Sequence, residues 1–114
     1  MYYILGIDIG TSGVKAVLYA EDGTLLTSAT EEYPMYQPQN GWAEQNPAHW
    51  WEKTVLAIRR VLQLSKADPK QICGIGLTGQ MHGLVMLDQD NNVLRDAILW
   101  CDQRTEEECR TLTK

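Results

Sequence analysis

The segment Asp8–Lys15, with the sequence DIGTSGVK, decides the expected fold because it joins two apolar runs through a short turn. The preceding run, Tyr2–Ile9, and the following run, Val14–Tyr19, are rich in β-branched and aromatic residues, so both are predicted strands. The EDG sequence at 21–23 is a tight-turn signal and leads into a third predicted strand, Thr24–Glu32. The sequence therefore predicts an antiparallel three-strand meander at the start of the chain.

The turn between the first two strands has the composition of a phosphate site. Gly10 and Gly13 carry no Cβ, so backbone N–H groups can point into one concavity. The hydroxyls of Thr11 and Ser12 add donors, and Lys15 adds a positive charge. The turn is not a P-loop, because a strand rather than a helix follows it. From spacing alone, an ordinary hairpin turn with a surface acid and lysine is about equally compatible.

Asp8 favours the functional interpretation. It lies between Ile7 and Ile9 in a strand that is predicted to be central. A carboxylate in such a place is costly unless it has a partner or a role. Holding Mg²⁺ through water is a suitable role, because this ion dehydrates reluctantly and prefers oxygen ligands.

The rest of the chain predicts a mixed α/β fold. Asn46 and Pro47 are a helix start, and the helix should run to about Ser65. The run Ile72–Thr78 is short and apolar and predicts a buried central strand. Shorter apolar runs on either side of DQDNN at 88–92 predict a second turn. The expected buried stripe of the helix consists of Trp51, Val55, Ile58 and Leu62.

The end of the chain predicts a further helix. Thr105 and Glu108 have the spacing of a capping box, so this helix should begin near Thr105. Strands, a helix and another strand that joins the sheet form a mixed α/β arrangement.

Composition excludes several classes of protein. The chain has 114 residues, which is one domain at most, and a formal net charge of −5. This charge argues against general binding to nucleic acid or to anionic membranes. The sequence contains no eighteen-residue apolar run, so no membrane-spanning helix is expected, and a secretory signal is not expected because Asp8 interrupts the first apolar run early. Its 3 cysteines are odd in number and lack CxxC spacing, which favours reduced thiols and a cytoplasmic protein.

The stretch GIDIGTSGVKAVLYAEDG at 6–23 resembles the first phosphate motif of the superfamily that contains sugar kinases, actin and heat-shock chaperone ATPases. The resemblance implies a ribonuclease H-like fold, a mixed sheet with flanking helices. It does not separate a kinase from a chaperone- or actin-type module that uses nucleotide as a conformational switch.

Three further stretches narrow the resemblance to the FGGY family of carbohydrate kinases. They are GWAEQNPAHWW at 41–51, GQMHG at 79–83 and AILWCDQR at 97–104, and they occur in that family's order. GQMHG is most similar to the sugar-contact segment of xylulokinases. The resemblance implies transfer of the γ-phosphoryl group of ATP, with Mg²⁺, to the terminal hydroxyl of D-xylulose, giving D-xylulose 5-phosphate. A gluconokinase or another FGGY kinase is the alternative within the family, because gluconokinases also show a Met-His pair.

The resemblance assigns roles to individual residues. Asp8 matches the metal-linked acid of the family. The phosphates of ATP are expected on Thr11, Ser12, Gly13 and Lys15. The sugar is expected on Met81, His82, Trp100 and Asp102. Apart from the resemblance, we expect Trp42 and Glu44 to be structural rather than sugar-binding, and Trp50 and Trp51 to lie in the core.

No catalytic residue is assigned within the chain. In the family the general base is an aspartate much later in the sequence, which here means after Lys114. The chain is therefore expected to be a truncated N-terminal kinase domain, 1–114, that is inactive by itself. Missing strands would leave open sheet edges that favour self-association. A homodimer is therefore expected, and the other expected partner is a small-molecule sugar.

Overall fold

The computed structural model describes residues 1–113 and contains two compact units. The sheet unit consists of residues 1–33 and 48–80, and the second unit of residues 34–47 and 81 onward. In chain order, the regular elements are β1 (Tyr3–Ile9), β2 (Gly13–Ala20), β3 (Leu25–Glu32), β4 (Glu44–Gln45), α1 (Pro47–Ser65), β5 (Ile72–Gly79), β6 (Ala97–Ile98) and α2 (Glu106–Leu112).

The sheet unit contains a four-stranded mixed sheet with the strand order β3-β2-β1-β5. The pairs β1–β2 and β2–β3 are antiparallel, which confirms the predicted meander, and β5 pairs with β1 in parallel. The prediction of a buried central position for the fourth strand was wrong. In the described residues β5 is an edge strand, and the side chains of Ile75 and Leu77 are 65% and 67% exposed.

Helix α1 begins and ends where the sequence predicted, but its buried face differs. The buried residues are Thr54, Ala57 and Val61. Trp51 is 71% exposed, so its predicted core position was wrong, whereas Trp50 packs against the core. The three buried residues each lie one position before a member of the predicted stripe, so the buried face is shifted by one residue on the 3.6-residue period. The hydroxyl of Thr54 donates to the Trp50 carbonyl at 2.6 Å, which satisfies a buried polar group.

One face of the sheet forms the core of the sheet unit. Side chains alternate along β1 and β2, so every second residue is buried, as expected for half-buried strands. The opposite face of β1 carries Ile4, Gly6 and Asp8. The buried core residues are Leu5, Ile7, Val14, Ala16, Leu18, Ala29, Tyr33, Ala57 and Val61.

The second unit has little regular structure. Strands β4 and β6 form a two-residue antiparallel pair, and isolated bridges join Leu84 to Ile98 and Leu87 to Val93. The predicted turn at 88–92 is confirmed, since the Asp88 carboxylate accepts hydrogen bonds from the backbone N–H of Asp90 and Asn92. These bonds lower the pKa of Asp88.

Helix α2 follows Thr105 as predicted, although the Thr105 side chain makes no capping hydrogen bond. No helix among residues 1–113 combines the length and the apolar character needed to cross a bilayer.

Candidate functional site

The glycine turn lies between β1 and β2 and is held tightly against the end of β3. The Gly10 N–H donates to the Gly13 carbonyl at 2.9 Å and closes the turn. Gly13 has no space for a side chain, because an added Cβ would lie 2.4 Å from the Glu31 carbonyl oxygen. Glycine is therefore required at this position by close backbone approach.

The hydroxyl-bearing residues of the turn differ in their surroundings. Ser12 is exposed. Thr11 is half-buried, and its hydroxyl donates to the Gln80 side chain at 3.3 Å. The Gln80 N–H in turn donates to the Ile9 carbonyl at 2.9 Å, which fixes the residue after β5 beside the turn. The sequence patterns gave no sign of this contact, because it depends on the parallel pairing of β1 with β5.

Asp8 is exposed on the open face of the sheet. It lies opposite Lys15 in the β1–β2 pair and opposite Thr78 in the β1–β5 pair. The Thr78 hydroxyl donates to the Asp8 carboxylate at 2.8 Å. The expected cost of a buried carboxylate therefore does not apply in the described structure, and Asp8 is available to a ligand from the solvent side.

A shallow groove runs along this face of the sheet and contains Asp8. Its volume is about 440 Å³, and its lining includes Asp8, Lys15, Thr78 and Tyr19. The groove floor carries no side chains where Gly6 of β1 pairs with Gly76 of β5. The groove thus brings a carboxylate, an ammonium and a hydroxyl to one end of a nearly flat apolar surface.

Residues 1–113 contain no cluster of three or more His, Cys, Asp or Glu side chains that could hold a metal. A single exposed carboxylate beside the glycine turn still fits Mg²⁺. That ion keeps several waters and is commonly bound by one or two carboxylates together with substrate phosphates.

Met81 and His82 begin the second segment of the second unit, and both are exposed. His82 has a φ of 59°, a left-handed conformation that is uncommon outside glycine but tolerated by His and Asn. This backbone turns the chain immediately before Gly83. The segment is therefore a bent, open corner.

The bridge between Leu84 and Ile98 brings this corner beside the segment that contains Trp100. His82 lies two residues before Leu84, and Trp100 lies two residues after Ile98. Because the bridge is antiparallel, these two residues are on the same side of it. Trp100 is 57% exposed. Within the second unit, the predicted sugar-contact residues therefore come from two adjacent segments.

Asp102 is placed differently from the other predicted sugar contacts. Its side chain is 3% exposed, and one carboxylate oxygen accepts the Ala43 N–H at 2.7 Å. The Arg104 guanidinium donates to both carboxylate oxygens, at distances from 2.7 to 3.0 Å. The Arg104 hydrogen bonds are the main reason that the pKa of Asp102 is lowered from 3.8 to about 2.

Arg104 joins Asp102 to the residues that were expected to be structural. Its guanidinium lies 3.7 Å from the centroid of the Trp42 ring and donates to the Glu44 carboxylate at 2.6 Å. Glu44 also accepts from Arg95 at 2.7 Å. These contacts agree with the structural roles expected for Trp42 and Glu44. We refer to Trp42, Glu44, Asp102 and Arg104 as the Arg104 cluster.

Comparison with known proteins identifies the family. Residues 3–114 match the model of the N-terminal domain of the FGGY family of carbohydrate kinases. The chain belongs to this family.

Individual relatives of this FGGY chain agree with that assignment. It is 45% identical over 114 residues to the xylulose kinase of Bacillus subtilis, which covers the whole chain and 23% of that relative. A solved xylulose kinase from Brucella ovis has a TM-score of 0.89 and 42% identity, over 97% of this chain and 23% of the other. A gluconate kinase from Lactobacillus acidophilus has a TM-score of 0.91 and 31% identity, over 98% and 22%. The predicted fold is thus confirmed as that of the FGGY sugar kinases, the actin-like ATPase fold, and the chain spans about a quarter of these relatives.

Proposed function

We propose that the intact protein transfers the γ-phosphoryl group of ATP to the terminal hydroxyl of D-xylulose and releases D-xylulose 5-phosphate. The observation that carries this proposal is the glycine turn closed against β3, with the exposed Asp8 carboxylate at the end of the neighbouring strand. Membership of a carbohydrate kinase family and the names of the relatives support the same activity.

The sheet unit would bind the phosphates of ATP. Backbone N–H groups of the turn and the hydroxyls of Thr11 and Ser12 are the proposed donors, and Gly13 keeps the backbone close to β3. Lys15 would supply a compact positive charge. Asp8 would hold Mg²⁺ through water, and that ion would neutralise phosphate charge during transfer.

The second unit would bind the sugar. The imidazole of His82 can hydrogen-bond a sugar hydroxyl, Met81 can contact carbon atoms, and the exposed Trp100 ring can cover an apolar sugar face. We propose that Asp102 acts indirectly and does not itself contact the sugar. Its oxygens already accept hydrogen bonds from Arg104 and Ala43, so it would position the turn that carries Trp100.

The 114-residue chain is proposed to be inactive by itself, because it spans only 23% of a xylulose kinase and no general base has been assigned in it. ADP release that requires both ATP and D-xylulose, measured for the chain against a heat-killed control, would contradict this. The cytoplasm remains the proposed location, in line with the odd number of cysteines. Size-exclusion chromatography of the 114-residue chain tests the proposed homodimer, because the open sheet edges on which that proposal rests belong to this chain.

Two substitutions in the full-length protein test the division of roles. Asp8→Asn removes the charge and should lower kcat/KM by on the order of 100-fold, with little effect on the KM for D-xylulose. His82→Asn keeps a residue that tolerates the left-handed backbone and should raise the KM for D-xylulose about tenfold, with the KM for ATP unchanged. Wild-type rates in both variants would refute the proposed sites.

Gluconate is the second candidate sugar, because the solved gluconate kinase is as similar in structure as the xylulose kinases. Coupled assays of the full-length protein with each sugar at equal concentration separate the two. Phosphorylation of gluconate but not of D-xylulose would replace the proposed substrate and leave the phosphate site intact.

A further inference from the structure

Tyr33 connects the glycine turn to the hydrophobic core. It directly follows β3, is 6% exposed, and its ring belongs to the core of the sheet unit. Its hydroxyl donates a hydrogen bond to the Gly10 carbonyl. Its backbone N–H donates to the Ser12 carbonyl at 3.3 Å. One residue therefore contacts both ends of the turn.

The hydroxyl bond fixes the orientation of one peptide plane. In a trans peptide the C=O and the following N–H point in opposite directions, and residues 1–113 contain no cis peptide. Because the Gly10 carbonyl points towards Tyr33 in the core, the Thr11 N–H points away from the core. Gly10 itself restricts this plane little, since glycine has access to most backbone conformations. The tyrosine supplies the restriction that the glycine lacks.

The tyrosine hydroxyl remains a donor over the working pH range. Burial, with a smaller contribution from the negative charge of Asp8, raises the pKa of Tyr33 from 10.0 to about 12. The hydroxyl is therefore protonated in any neutral or mildly alkaline buffer.

We propose that Tyr33 is a positioning residue for nucleotide binding: its hydroxyl holds the Gly10–Thr11 peptide so that the Thr11 N–H is presented to a phosphate oxygen of ATP. This inference rests on the proposed function of the turn and adds a specific residue outside the glycine motif. Tyr33 touches neither ATP nor sugar in this account. Its effect should therefore appear in nucleotide binding alone.

The test compares Tyr33→Phe with Tyr3→Phe in the full-length protein. Both tyrosines pack against the same core, but the Tyr3 hydroxyl makes no hydrogen bond to another residue of the described chain. Calorimetric titration with Mg-ATP in the absence of sugar gives the Kd, and steady-state assays give the two KM values. Tyr33→Phe should raise the Kd and KM for ATP about 2- to 10-fold, the loss expected for one neutral hydrogen bond, and leave the KM for D-xylulose unchanged. Tyr3→Phe should change neither.

The outcomes separate the two levels of the proposal. If the wild-type protein does not bind ATP, the proposed function fails and the role of Tyr33 fails with it. If the wild type binds ATP and Tyr33→Phe binds it equally well, only the positioning role is overturned. A lower melting temperature with unchanged Kd for ATP also overturns it, because a purely structural tyrosine would behave in that way. The phenylalanine keeps the ring in the core, so folding of the variant is expected.

Discussion

The two units of the chain are stabilised by different means. The sheet unit has a continuous core of nine buried residues, which come from three strands, a helix and Tyr33 after β3, and almost all of them are aliphatic. In the second unit the buried apolar residues are Ala43, Ala97 and Leu99, and its buried Glu44 lies in the Arg104 cluster. The comparison teaches that the turn proposed to bind phosphate rests on apolar packing, whereas the unit proposed to bind the sugar has little core and depends on charged hydrogen bonds.

The largest expected effect tests the core of the sheet unit. Leu18 is completely buried, so Leu18→Ala should reduce the free energy of unfolding by about 2–5 kcal/mol. The matched control is Leu25, which is 56% exposed on the neighbouring strand. Leu25→Ala should change the free energy of unfolding by less than about 0.5 kcal/mol. Urea unfolding of the full-length protein measures both. Equal losses in the two variants would mean that the sheet is not stabilised by this core.

The next effect tests the charged contacts of the second unit. Arg104→Met removes hydrogen bonds to two carboxylates that are largely buried and should cost about 1.5–3 kcal/mol. Arg110 pairs with Glu106 at 2.6 Å on the exposed surface of α2, so Arg110→Met should cost about 0.3–0.5 kcal/mol. The same urea measurement compares them. If the two losses were equal, the Arg104 cluster would contribute no more than a surface ion pair.

Acid should affect the second unit before the sheet unit. The pKa of Asp102 is lower in the folded chain, about 2, than its ordinary value of 3.8. Its contribution to stability is therefore complete above the ordinary value and is lost as pH falls from about 4 to 2. Amide hydrogen exchange should show earlier loss of protection near Ala43 and Arg104 than in β1 and β2. Asp102→Asn should remove this pH dependence, and an unchanged acid profile in that variant would contradict the assignment.

The smallest expected effect concerns the exposed face of α1. Trp51→Gln should change the free energy of unfolding by less than about 0.5 kcal/mol, because the ring is mostly in solvent. The thermal midpoint of the full-length protein provides the measurement. A loss comparable to that of a core residue would show that the ring is covered in the intact protein.

The sequence predicted the sheet unit better than the second unit for physical reasons. Alternation along β1 and β2 and the proline at the start of α1 are local signals, and their bounds were predicted to within a residue or two. Local periodicity cannot distinguish an edge strand from a central one, so the predicted central position of β5 was wrong. It also could not choose between Trp50 and Trp51 for the buried side of the helix.

Contacts at the candidate site depended on long-range pairing. Arg104 meets Glu44 across sixty positions of sequence, and Thr11 meets Gln80 across 69. Neither pair has a periodic signal. The resemblance identified Asp102 as a member of a motif, but only the structure showed that both of its oxygens are already hydrogen-bonded.

The parallel pairing of β1 with β5 has a consequence for synthesis on the ribosome. β1 finds β2 a few residues later, but Asp8 pairs with Thr78, and the entropy of closing so long a loop favours early formation of the meander. At 5–20 residues per second, roughly 4–14 s separate the translation of these two strands. Throughout that interval one edge of β1 has no partner strand. We therefore expect this edge of β1 to be open to misassembly until the β5 segment leaves the ribosome.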